Sequence, residues 1–144
     1  MRLAVVGPNT LDEATVHEAL RQFDSLTRIT EILTLGTAGT ALHAETWGAR
    51  NQRRVTSYRV HRELRQEVPE IDKYRVTRVT GQAETLLAFQ DPENTGGGRD
   101  LLAAFAQAGK LVVEVALPTP TPFMGGEPTL QSIPEDPMPE LALA

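Results

Sequence analysis

Apolar residues fall into short unbroken runs that alternate with stretches of helical period. Leu3 to Val6 is uninterrupted and ends at Gly7-Pro8-Asn9-Thr10, the pattern of a strand buried on both faces running into a turn. Asp12 or Thr10 then stands where a helix needs its cap, and Ala14, Val16, Ala19, Leu20 and Phe23 recur near helical spacing. Ile29 to Leu35 is apolar and β-branched and predicts a second strand, closed by Gly36-Thr37-Ala38-Gly39-Thr40. From Thr40 the pattern turns helical through Ala41, Leu42, Ala44, Trp47 and Ala49. It runs into Arg50, Arg53 and Arg54, cations where a helix carboxyl end favours them. Val55 to Val60 predicts a third strand.

The charged stretch from His61 to Lys73, with Pro69 in its middle, predicts a helical turn and a loop. Glu84 to Phe89 predicts a fourth strand, and Gln90 to Gly98 is dense in turn formers. A helix follows from Arg99 or Asp100 to Ala108, with Gly109 as its carboxyl cap, and Lys110 to Ala116 predicts a fifth strand. Strands alternating with helices through short glycine-bearing loops imply an α/β domain over residues 1–117. The expectation is a Rossmann-like three-layer sandwich with a mainly parallel five-stranded sheet. Residues 118–144 differ: Pro118, Pro120, Pro122, Pro128, Pro134, Pro137 and Pro139 punctuate a proline-rich tail without apolar period. Such a tail reads either as a disordered extension or as an arm docked on a neighbour through Phe123, Met124, Leu130 and Ile133.

A chain of 144 residues suits one hydrophobic core. Its 19 acidic against 14 basic residues, a net charge of -5, argue against nucleic-acid duplex as a partner, since that affinity comes from neutralising phosphates. Arg50, Arg53, Arg54, Arg59, Arg62 and Arg65 do cluster. Glu63, Glu67, Glu70 and Asp72 follow at once, so the group reads as a mixed-charge solvated face. The absence of cysteine excludes disulfides and thiolate chemistry. The apolar run after Met1 and Arg2 is too short for a signal-peptide core or a membrane span, so a cytoplasmic chain with no membrane partner is expected.

In an open parallel sheet ligands sit beyond the carboxyl ends of the strands, where strand order reverses. That rule selects three loops. Their candidate ligand-binding residues are Gly7, Asn9 and Thr10; Gly36, Thr37, Gly39 and Thr40; and Thr95, Gly96, Gly97, Gly98 and Arg99. The second and third loops each lead into a helix, whose first amides lack intrahelical partners and whose dipole favours an anion. Glycine permits close backbone approach, the threonine hydroxyls add hydrogen bonds, and Arg99 supplies a fixed positive charge. Neither the dinucleotide fingerprint nor the P-loop lysine is present. His43 and Glu45, two apart, face different sides of a helix and share no metal, and His17 and His61 read as ordinary solvated histidines. No metal and no cofactor are expected. The helix carrying Leu101, Leu102, Ala104, Phe105 and Ala108 has few charges after Asp100, which suggests a face covered by a second subunit and hence a homo-oligomer.

The run Ile29 to Leu35, then Gly36-Thr37-Ala38-Gly39-Thr40 and a helix with Glu45-Thr46-Trp47, resembles the SLOG superfamily, in particular its YspA/YpsA-related branch. Leu86 to Phe89, Gly96-Gly97-Gly98-Arg99 and Ala106 to Val115 resemble that branch's second block. The resemblance covers residues 1 to about 117 and implies a Rossmann-like domain that binds a nucleotide or a nucleotide-derived molecule. The superfamily also contains phosphoribohydrolases, which carry a glutamate on the helix after the glycine loop. Here Asp100 is the nearest acidic residue to that place. Thr37 stands where the family has glycine, and Ala38 where its loop has arginine.

Three functions follow, in order. The first is a small-molecule binding module that senses, carries or sequesters a phosphorylated, nucleotide-derived ligand. The second is a nucleotide-processing enzyme of the phosphoribohydrolase type, with Asp100 or Glu45 as acid or base and catalytic residues otherwise unassigned. The third is an assembly protein that reuses the fold and oligomerises through its tail.

Overall fold

The computed structural model describes residues 1–60, 67–68, 70–92, 94 and 97–116. Among these the strands are β1 (Arg2–Val6), β2 (Glu31–Thr34), β3 (Arg54–Ser57), β4 (Thr85–Phe89) and β5 (Leu111–Val115). The helices are α1 (Glu13–Leu26), α2 (Thr40–Arg50), α3 (Ile71–Gln82) and α4 (Gly98–Gln107). The five strands form one sheet in the order β3-β2-β1-β4-β5, and every neighbouring pair is parallel.

Alternation along the central strands explains the unbroken apolar runs. On β1, Leu3 and Val5 face one layer and Ala4 and Val6 the other; on β4, Leu87 and Phe89 oppose Leu86 and Ala88. The first set packs with Val16 and Leu20 of α1 and with Ala44 and Trp47 of α2. The second packs with Val79 of α3 and with Leu101 and Phe105 of α4. Helices thus cover both faces, and strands with no polar side follow from that burial. The outer strands β3 and β5 are only partly buried, and Leu111 is exposed.

The fold is the expected α/β sandwich, with one element unforeseen. Helix α3 overlaps the end of the His61–Lys73 stretch and extends through residues for which the pattern predicts no helix. Its buried residues are Arg75, Val79 and Thr80, with Val76 partly buried against the same core, so the inward stripe is short and half polar, and its Val and Thr content favours strand by propensity. Helix α3 is capped at Ala83, and Lys110 Nζ closes that end by donating to the carbonyls of Thr80 at 2.5 Å and Ala83 at 2.8 Å. Strand β3 ends at Ser57 rather than Val60, and Tyr58 N adds one more ladder bond, to Thr34 O at 3.0 Å. The proline-rich tail at 118–144, with Phe123, Met124, Leu130 and Ile133, lies outside the described residues, as does His61.

Candidate functional site

From β1 the chain steps outward to β2 and β3, then returns to place β4 and β5 on the other side of β1. Strand order therefore reverses between β1 and β4, and their carboxyl ends, Val6 and Phe89, mark the crevice where ligands of such sheets bind. All three candidate loops begin at this edge.

The first two loops are packed against each other. Thr40 is fully buried; its hydroxyl donates to Pro8 O at 2.8 Å and its amide donates to the same oxygen at 3.3 Å. Gly39 sits at φ +66° with Asn9 so close that a β-carbon there would overlap the Asn9 backbone. A β-carbon on Gly7 would lie 2.7 Å from Thr40 Oγ1 and 2.9 Å from Phe89 Cβ. Gly7 and Gly39 are thus required by contact between the loops, and the amino end of α2 is met by the Pro8 carbonyl. Thr40 is committed to that joint, while Asn9 and Thr10 are exposed and Thr37 is half-buried. Gly36, at φ +76°, lies against Arg59, whose backbone would be 2.7 Å from an added β-carbon.

The amino end of α4 is arranged differently. Gly97 takes a left-handed conformation at the cap, and Gly98 is buried over Val6, the last residue of β1. Asn94 Oδ1 accepts from the Arg99 amide at 3.0 Å, and Arg99 Nη2 donates to Pro92 O at 3.4 Å. Beside this end lies a cleft of about 340 Å³ whose walls include Phe89, Asp91, Gly98, Arg99, Leu102 and Glu114. The structure brings Gly98 and Arg99 to this cleft and sets Gly97 directly before them; Thr95 and Gly96 lie outside the described residues. Asp91 and Glu114 are lining residues that loop spacing does not reveal. The signal for Glu114 is a charge set inside the apolar run of β5.

A second polar group lies at the ends of β2 and β3. Arg75, buried on α3, donates through Nη2 to Leu35 O and through Nε to Tyr58 O at 2.6 Å, with Asp72 at 2.5 Å from Nη1. The guanidinium thereby satisfies carbonyls just beyond the two strands. Glu45 accepts from the Thr34 hydroxyl at 2.6 Å and from Arg59 Nη2 at 3.3 Å, so each carboxylate oxygen has a donor. Asp100 lines a different groove, between α3 and α4, with Asp72, Lys73, Thr77 and Gln107. The two candidate acids of the enzymatic reading therefore do not share the cleft with Arg99.

His17 Nε2 donates to His43 O at 3.0 Å and lies 3.7 Å from Glu13, joining α1 to α2 on the sheet face opposite α4. Among the described residues no group of three or more His, Asp or Glu stands together as a metal site, and no helix is long and apolar enough to cross a membrane. Comparison with protein-family models, with curated proteins and with solved structures finds no match to this chain.

Proposed function

We propose that this chain is a binding module for a small phosphorylated ligand of nucleotide origin, held at the amino end of α4. The observation that carries the reading is the cleft beside Gly98 and Arg99, next to the reversal of strand order. A helix amino end favours an anion through its dipole and its first amides, and an arginine fork matches phosphate oxygens. The volume, about 340 Å³, is near the lower end of the range of roughly 300–1,000 Å³ usual for small-molecule sites, which suits a compact ligand. The resemblance of residues 1 to about 117 to the SLOG superfamily points the same way. Binding ranks ahead of catalysis because Glu45 is engaged by Thr34 and Arg59 and Asp100 lines another groove.

Native mass spectrometry of the full chain with AMP, ADP-ribose, NAD and cyclic nucleotides tests this. The expected result is an adduct whose ligand is released unaltered, weakened about tenfold or more in Arg99→Ala through loss of a charge-assisted contact. No adduct with any of the four contradicts the proposal, and release of a cleaved ligand puts the enzymatic reading first.

A further inference from the structure

The charges lining the cleft do not add up to a simple anion site. Among the described residues on its walls Arg99 is the cation, and Asp91 and Glu114 are both carboxylates. Glu114 is the informative one. It pairs in register with Ala88, and by strand alternation it stands on the same face as Val112, which packs into the α3–α4 core. An apolar residue here would extend that core to the sheet edge; the chain instead places an exposed carboxylate at the mouth of the cleft.

A carboxylate accepts hydrogen bonds and cannot donate them, so it matches hydroxyl groups and opposes phosphate oxygens. Its repulsion grows with every further charge on the ligand, whereas Arg99 offers one fork, which a single phosphate fills. Resting on the phosphorylated-ligand reading above, we infer that Glu114 is a specificity residue acting as a charge filter. It admits a hydroxyl-bearing body with one phosphate and disfavours the same body carrying a polyphosphate. Specificity of this kind is a difference between affinities, set by the repulsive element as much as by the attractive one.

Calorimetric titration of the full chain with AMP, ADP and ATP, without magnesium and at low ionic strength, varies charge on a constant body. For the native sequence, affinity is expected not to rise from AMP to ATP. In Glu114→Gln, which keeps size and removes charge, the ATP-to-AMP affinity ratio should increase by about fivefold, and the gain should shrink at about 0.5 M salt. Glu114→Asp keeps the charge and should restore the native ratio, which separates the filter from a packing effect. A ratio unchanged in Glu114→Gln overturns the filter while leaving the phosphorylated-ligand reading in place. Failure of all three nucleotides to bind either protein overturns the filter, and where ADP-ribose, NAD and cyclic nucleotides also give no adduct the phosphorylated-ligand reading falls with it.

Discussion

Arg53 shows how much one side chain can tie together. Its guanidinium lies 5.6 Å from the Trp47 ring centre, donates to Ile29 O at 2.8 Å and meets Asp24 at 2.9 Å. Asp24 also accepts from the Ile29 amide at 2.8 Å. Burial raises the Asp24 pKa, but the Ile29 amide and Arg53 outweigh it and hold the carboxyl below its ordinary 3.8. A group depressed in the folded state contributes stability that is present above its unfolded value and lost as pH falls through the folded one. Asp24→Asn should therefore cost about 1–3 kcal/mol near neutral pH and flatten the decline of melting temperature below pH 3.8, as thermal denaturation across pH would show. Glu18 offers a contrast: hydrogen bonds from Arg21 and Gln22 bring its pKa to about 2, yet it is exposed, so Glu18→Gln should leave the neutral-pH melting temperature nearly unchanged. At Gly39, a side chain would meet the Asn9 backbone at an unfavourable φ, and Gly39→Val should lower stability by about 3 kcal/mol or more in denaturant titration. That Gly39 is special was legible in the loop sequence. Its reason, the approach of Asn9 from a loop some thirty positions earlier, was not, because nothing local encodes which loops meet.

Among the elements, β1, β2, β4 and helices α1, α2 and α4 could be read from period and punctuation because each buries an apolar run or stripe. Helix α3 could not, since its buried face mixes Val79 with Arg75 and Thr80 and offers no apolar stripe of helical period. Beside the packing of Val79 and Val76, polar joints tie it to the fold: Arg75 to the carbonyls of Leu35 and Tyr58, and Lys110 to those of Thr80 and Ala83. Arg75→Met should leave those two carbonyls without their donor and destabilise by about 2–4 kcal/mol. Hydrogen exchange should then show α3 losing protection ahead of β1 and β4. Lys110→Met removes both part-buried bonds at the carboxyl end of α3 and should cost about 1 kcal/mol or more, measured by denaturant titration.

At the scale of the molecule, the α/β class and the sheet edge from which all three glycine-bearing loops spring were both legible, because alternating elements leave few topologies open. The difference between the two glycine-bearing helix starts was not. The α2 start is closed by Pro8 and Asn9, whereas the α4 start, with Asn94 Oδ1 on the Arg99 amide, still borders the cleft, and only tertiary packing decides that. Glu114 lines the cleft for the same reason, from β5, a strand that none of the three glycine-bearing loops follows in sequence. The central claim is therefore one of place, and amide chemical-shift mapping of the full chain during titration with AMP tests it most directly. Shifts are expected to concentrate at Gly97 to Leu101 and at Gln90 and Asp91, with Thr40 and Ala41 unmoved. Shifts centred on Thr37 to Ala41, or none at saturating AMP, would contradict that claim.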